Sequence, residues 1–473
     1  RTGKRMAAAD TTATATGELS GASSLATAEA TALSSGPTDP ATAGGKERPV
    51  TWRGGWRGWD GFHFDLTRRT LLGDWAPGLA NVAPIHPRLW AREGETGFPY
   101  HPDLTKARMA GKIGAKLAVD AAVFAADDEL GDFDDGVELR RARVYAQGDC
   151  LMVLPVSYEI EIGYIPEGLY IENSYLEFRE LGFLGTLKGG QYAVPITLEN
   201  VESSRDRTFM ETPAPLQALA PGVEAGLQVG RPILRQRVTW ALGMFTEGVG
   251  NDFGDATEEF GRAVVRITGL PIDRREEEHK ERPRLLHLGL SGYGLYAGAD
   301  SVRYRSRPES HLAPTVIDTG AIDADGSFVL GTELAWVEGP FSVQGEYLHS
   351  WVARESGARV GFHGFYVSGS WFLTGESRPY DRTRGVFARV NPDRRFAPGK
   401  GGWGAFEIAA RFSYADLMDG DVRGGRLLMG MGGLNWYLHS HLKWRFDVGL
   451  GRASGGPSEG ALGIFQTRLE VDL

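Results

Sequence analysis

Leu442-Lys443-Trp444-Arg445-Phe446-Asp447-Val448-Gly449-Leu450 places an apolar side chain at every second position, with charged residues and one glycine between. In a β-strand successive side chains point to opposite faces, so Leu442, Trp444, Phe446, Val448 and Leu450 share one face and Lys443, Arg445 and Asp447 the other. The same division recurs along the chain. Phe465, Thr467, Leu469 and Val471 oppose Gln466, Arg468, Glu470 and Asp472. Val238, Trp240, Leu242 and Met244 oppose Arg235, Arg237 and Thr239; Tyr158, Ile160, Ile162 and Tyr164 oppose Glu159 and Glu161; Phe406, Ile408, Ala410 and Phe412 oppose Glu407 and Arg411. A soluble sandwich also has one dry and one wet strand face. Its strands, however, run to about five or six residues, whereas many of these segments reach the roughly 9–11 that a tilted membrane strand needs.

Composition agrees with a large barrel. The 473 residues include 65 Gly, 12 Trp, 15 Tyr and 22 Phe at only 42% hydrophobic content, a β-rich mixture without long apolar runs. No apolar stretch is long enough for a transmembrane helix, but barrel strands hide their membrane signal in alternation. The net charge of -10 argues against a nucleic-acid binder. Cys150 is the sole cysteine, which leaves no internal disulfide and no cysteine metal cluster. No cofactor is expected.

Three regions follow. Residues 1–50 are dominated by Ala, Thr, Ser and Gly and cannot repay their ordering entropy, so a disordered low-complexity tail is expected there. Residues 51–112, with Trp52-Arg53-Gly54-Gly55-Trp56, show no clear period and stay open between a first strand, a periplasmic segment and a plug. Residues 113–473 carry the barrel. An outer-membrane destination requires an export leader, expected to have been removed or to lie outside this chain.

The strand count follows from direction. A bacterial single-chain barrel needs an even number, and working back from a descending last strand puts the weak candidate at 299–306 inside a loop. Sixteen antiparallel transmembrane strands remain. Outer loops are then expected near 126–136, 165–168, 194–222, 247–258, 296–325, 354–360, 417–424 and 452–459. The third of these contains Leu198, Phe209 and Met210, too apolar for a solvated loop, and folding it into the lumen would bury them.

Several separated motifs then agree on one resemblance. They are Glu138-Leu139-Arg140-Arg141-Ala142-Arg143; Gly190-Gln191, Pro195, Leu198-Glu199, Ser203-Ser204 and Phe209-Met210-Glu211; Leu373-Thr374-Gly375-Glu376-Ser377-Arg378; Gly404-Ala405-Phe406-Glu407; and Gly433-Leu434-Asn435-Trp436-Tyr437. In this order they resemble the phosphate-selective porin O and P family over about 113–473. The resemblance implies a trimeric channel of the bacterial outer membrane, with an inward third loop and an arginine-lined path for anions such as phosphate. Two departures are Ala193, where the family often has a basic residue, and Leu473, where barrels usually end in an aromatic.

Arginine suits such a path because its planar fork stays charged and can hold two oxygens at once. By alternation Arg141, Arg143, Arg235, Arg237, Arg262 and Arg266 should face the lumen, with Arg205 and Arg207 on the third loop. Glu159, Glu161, Glu177, Glu333, Glu346 and Glu407 share the same face, so the plainer reading is a wall ordered by ion pairs. The expected partners are small ions or solutes, phosphate among them, outer-membrane lipids and lipopolysaccharide, and two further copies in a homotrimer, with no nucleic acid. The acidic loops around Asp127–Asp135 and Asp252–Glu259 lack EF-hand spacing, so no metal is assigned; Asp323-Ala324-Asp325-Gly326 reads as a hairpin turn. Two alternatives remain. A soluble glycan-binding β protein would show neither detergent dependence nor heat-shifted migration. A barrel enzyme would need a nucleophile and base converging on its wall, and no strand offers a His and Ser at such spacing.

Overall fold

The apolar sides of the alternating segments lie on the outside of the molecule, the reverse of a soluble protein. In the computed structural model, which describes residues 51–57, 60–69, 106–151, 154–165, 168–246, 261–274, 283–296 and 301–473, Trp444, Val448 and Leu450 are exposed while Lys443, Arg445 and Asp447 are buried. Val265 and Ile267 are likewise exposed between buried Val264, Arg266 and Thr268. Such a pattern is stable only where the outer face meets lipid. The expected low-complexity tail, 1–50, lies outside the described residues.

The strands are β1 (Thr51–Trp56), β2 (Phe62–Arg69), β3 (Lys106–Ala126), β4 (Gly136–Leu151), β5 (Pro155–Ile165), β6 (Gly168–Phe178), β7 (Thr186–Ala193), β8 (Val223–Ile233), β9 (Val238–Phe245), β10 (Arg262–Arg274) and β11 (Arg284–Tyr296). Then come the short β12 (Arg305–Ser306) and β13 (Ile317–Asp318), followed by β14 (Ala324–Glu338), β15 (Phe341–Arg354) and β16 (Val360–Phe372). After the short β17 (Tyr380–Asp381) and β18 (Val386–Phe387) come β19 (Ala405–Asp419), β20 (Val422–His439), β21 (Leu442–Ser454) and β22 (Gly460–Asp472). One 18-stranded sheet holds all but the four short pieces. Setting aside the β1–β2 hairpin leaves sixteen antiparallel strands.

The barrel closes where β22 pairs with β3, from Leu462↔Ala126 to Asp472↔Lys116. Closure removes the open edges that a membrane would not tolerate. The strand β3 is longer than its neighbours and, on the edge opposite β4, serves two partners. Its upper part carries β22, and its lower part, starting at Lys106 rather than the expected 113, carries β2 from Phe62↔Ile113 to Arg69↔Lys106. The hairpin thus continues the wall below the C-terminal strand.

Aromatic pairs mark the two rims of the apolar belt. Phe341 stacks on Trp371 at 5.3 Å and Phe406 on Trp436 at 5.5 Å near the short-turn end, and Phe328 stacks on Trp351 at 5.9 Å near the other. Interfacial aromatics of this kind anchor a barrel at headgroup level.

Most connections at the outer end fall where expected. Two segments differ from expectation. Residues 373–404, at the short-turn end, form a long insertion containing β17 and β18 that enters the barrel. Asp323–Gly326 is no hairpin turn: Ala324 already opens β14, with a bulge between Ala324 and Gly326. That aspartate-glycine pair bends a strand entry rather than reversing the chain.

Candidate functional site

The third outer loop, residues 194–222, runs down inside the barrel as a strap. Its two short helices are α1 (Leu198–Val201) and α2 (Ala214–Leu219). The Thr197 side chain accepts from the Asn200 amide at 3.3 Å, and the Glu346 carboxylate of β15 accepts from the amides of Leu198 and Glu199 at 2.7 and 2.9 Å. These bonds satisfy the orphan N–H groups that a helix start leaves behind. Pro213 opens α2, and the Ala214 amide donates to Glu309 at 3.0 Å. Leu198, Phe209, Met210, Leu216 and Leu219 are all buried, so the loop's apolar content is used as packing inside the lumen.

The far side of the strap is tied to β20–β22. Asn435 donates to the Thr208 carbonyl at 2.9 Å, Lys443 to that of Arg207 at 3.0 Å, Arg445 to that of Phe209 at 3.1 Å and Arg468 to that of Met210 at 2.7 Å. Asp447 accepts from the Met210 amide at 3.0 Å. Backbone groups buried away from water must find such partners. Strand cations on this side therefore hold the loop.

Two further segments lock it. From the short-turn end, Arg378 reaches the Glu202 carboxylate at 3.0 and 3.1 Å and Gln344 at 2.7 Å. Beside it, the Tyr380 hydroxyl and His287 Nδ1 lie 2.6 Å apart, and His287 Nε2 is 3.0 Å from Glu333. From the outer end, Glu309 meets Arg411 at 3.0 Å and Ser413 as well as the strap.

The arginines singled out from sequence separate into groups. On β4, Arg143 meets Glu161 at 3.1 Å, Glu172 at 3.0 Å and the Tyr170 hydroxyl at 2.9 Å. Arg141 lies beside it with Glu470 3.8 Å away, and its buried Nη1 has no hydrogen-bond partner. Arg205, on the strap, pairs with Asp472, and Arg207 donates to Thr212 at 2.7 Å. Arg262 is held by Glu224 at 3.0 Å and lies over the Tyr293 ring at 4.4 Å. Arg266 grips both oxygens of Glu333 at 2.9 and 2.8 Å and donates to the Gly385 carbonyl at 2.9 Å. Both of these are fixed into the wall.

Arg235 and Arg237 are a correction. They sit in the turn between β8 and β9, exposed at the barrel mouth rather than on the lumen wall. Leu234, Arg235 and Gln236 all have positive φ, so strand alternation stops before it reaches them. Counting back from Val238 therefore assigned a face to residues that have none.

Arg140 is the converse case. Alternation puts it on the lipid side, yet its Nε donates to Glu211 of the strap at 3.2 Å. A bulge explains this: the β3–β4 register shifts between Ala118 and Asp120, so the two residues Leu139 and Arg140 face the single Val119. One extra residue lets consecutive side chains share a face. The only sequence signal was two adjacent arginines in a segment otherwise alternating. Glu211 in turn is partly buried, and its desolvation alone would raise its pKa, but Arg140 and Arg468 hold its carboxyl well below the ordinary range.

Arg140, Arg141 and Arg143 therefore stand together on the inner face of one strand, and Arg140 reaches the strap. Below them Lys112 and Lys116 of β3, Arg205 and Arg389 gather around Asp472, with Arg389 paired directly to it. None of Lys112, Lys116 or Arg389 was singled out from sequence. Further toward the short-turn end, a cavity of about 980 Å³ opens between the β1–β2 hairpin and the barrel wall, lined by Arg53, Trp56, Lys112, Asp149, Glu159 and Glu177 among others. Its charge is mixed.

A model of the family described as phosphate-selective porin O and P matches residues 112–455. Among curated relatives, an uncharacterized protein of Caulobacter vibrioides is 26% identical over 421 residues, covering 84% of this chain and 81% of the relative. Porin O of Pseudomonas aeruginosa is 25% identical over 381 residues, covering 72% of this chain and 82% of the relative. Among solved structures, OmpT, an outer membrane protein of Vibrio cholerae, aligns with a TM-score of 0.49 at 12% identity over 77% of this chain and 98% of its own. An anion-selective porin from Comamonas acidovorans aligns at 0.48 and 11%, over 77% and 100%.

Proposed function

This chain belongs to the phosphate-selective porin O and P family, and we propose that it passes small anions, phosphate among them, between its third loop and the inner face of β4–β8. It is a passive diffusion channel of the bacterial outer membrane. The strap's polar ties run mainly to β11, β15, β16 and β19–β22; toward β4 the tie is Glu211 with Arg140. That arrangement supports a path on the β4 side.

The observation that carries the reading is the trio Arg140, Arg141 and Arg143, brought onto one face by the bulge, each beside a carboxylate: Glu211 for Arg140, Glu470 for Arg141, and Glu161 and Glu172 for Arg143. Three guanidinium groups on one face are a surface that an anion can share with these carboxylates through charge-assisted hydrogen bonds. Arg205 and Arg207 on the strap continue the path, while Arg262 and Arg266 shape it through their ion pairs. Rings of positive side chains select anions by attraction and by repulsion of cations. The family resemblance favours a homotrimer, and the exposed apolar belt implies contact with outer-membrane lipid.

The test is conductance in a planar bilayer. Discrete steps are expected, and phosphate added to a chloride bath should lower the chloride current reversibly. Folded protein giving no steps would overturn the channel, and phosphate without effect would overturn the phosphate reading while leaving the channel intact.

A further inference from the structure

The outward face of β15 reads, from the short-turn rim upward, Phe341, Val343, Gly345, Tyr347, His349 and Trp351. The aromatic ends fit the rims of a lipid-facing belt, but the middle holds a missing side chain and an ionisable one. Gly345 pairs with Leu334 of β14 and with Val367 of β16, both exposed. With no side chain between these neighbours, the wall sinks into a groove of about 740 Å³ whose lining includes Thr332, Leu334, Val343, Tyr347 and Val367.

Above the groove the face turns polar. His349 lies directly opposite His363, their rings 5.9 Å apart and nearly parallel at 13°. The Tyr347 hydroxyl is 3.1 Å from His349 Nδ1. The row continues across the next two strands, where His363 pairs with Asp416 and Asp416 with Arg426. Arg426 donates to Asp416 at 2.8 Å yet remains 48% exposed. Ionisable groups on a membrane-facing wall are costly and signal a function.

We propose that this face binds one phosphate-bearing lipid of the outer leaflet, with an acyl chain in the groove over Gly345 and a headgroup phosphate on His349 and His363. The spacing fits. His349 is four residues above Gly345, about 13 Å along a strand at roughly 3.3 Å per residue, the separation between a headgroup and the upper part of its acyl chain. Two facing imidazoles repel when both are protonated, and a phosphate between them removes that penalty by accepting from both. Arg426, one strand beyond Asp416, keeps exposed donors for a second phosphate of the same headgroup.

A second copy of the chain fits this face less well. The stacked pairs Phe328–Trp351 and Phe341–Trp371 bracket it at both rims, as they do where a barrel meets lipid. By contrast the outward face of β3 and β4 offers only residues such as Leu117, Val123, Leu139 and Val144, with no exposed aromatic among the described residues. A subunit contact fits that smooth face better.

This inference rests on the outer-membrane reading but not on the lumen's selectivity. The test is native mass spectrometry of the detergent-folded full chain titrated with diphosphoryl lipid A or with the same lipid stripped of its phosphates. Wild type should bind the phosphorylated lipid about tenfold more tightly. His349→Ala with His363→Ala should abolish that preference, and Thr332→Trp, which fills the groove, should weaken both lipids, with channel conductance unchanged in each variant. Equal binding of the two lipids by wild type, or binding untouched by both variants, would overturn the proposal. So would a loss of subunit association in Thr332→Trp with lipid binding intact.

Discussion

Arg378 and Glu202 meet inside the barrel at 3.0 and 3.1 Å, joining a segment that enters from the short-turn end to a loop that enters from the other. Both side chains are buried, so the pair acts as a bolt between two inward insertions. Removing one partner leaves the other charged and unpaired. Arg378→Leu should therefore destabilise the fold by about 3–5 kcal/mol, and Arg378→Leu with Glu202→Leu should recover most of it. Equilibrium unfolding in detergent checks this, and a double variant no better than the single would refute it.

The strap is also fastened by Glu211, whose carboxyl Arg140 and Arg468 hold well below its ordinary pKa. A depressed carboxyl contributes stability that is fully present above its unfolded value of about 4.3 and is lost as pH falls toward the folded one. Wild-type channels should thus become noisy only in acid, below about pH 4. Glu211→Gln should show the same noise at neutral pH. Single-channel traces across a pH series decide it.

The outer wall predicts its own cost. Ile267 is exposed on the lipid face of β10. Ile267→Lys should cost about 2–4 kcal/mol if the site is near the bilayer midplane. The measurement is refolding yield and stability in lipid vesicles, with detergent micelles as the milder comparison.

Arginine and lysine carry the same charge but differ in geometry. If Arg141 holds phosphate through two donors, Arg141→Lys should keep the sign of selectivity and weaken phosphate block of the chloride current by about 1–2 kcal/mol, or roughly tenfold. Equal block in both proteins would remove Arg141 from the phosphate path.

The architecture was legible because the lipid and the lumen impose a period of two on each strand. Lys443, Arg445 and Asp447 were placed on one face, opposite the apolar residues, from that period alone, and the outer loops followed by direction of travel. What the period cannot show is where it breaks. Arg140 joins Arg141 inside through a single extra residue opposite Val119, and Arg235 and Arg237 fall in a turn of three positive-φ residues. The insertion at 373–404 was quoted for its family likeness, yet its inward course depends on Arg378, Tyr380 and Gly385 finding partners far away in sequence. Nor could composition say which lumen arginines are consumed by carboxylates. That depends on pairings such as Arg266 with Glu333, made across strands β10 and β14.

Zero-current potential across a KCl gradient tests the central claim most directly. With Arg140, Arg141 and Arg143 in place, the sign should report preference for chloride, and replacing all three with Gln should move the potential toward zero. A wild-type potential of the opposite sign, showing preference for potassium, would contradict an anion path through this barrel.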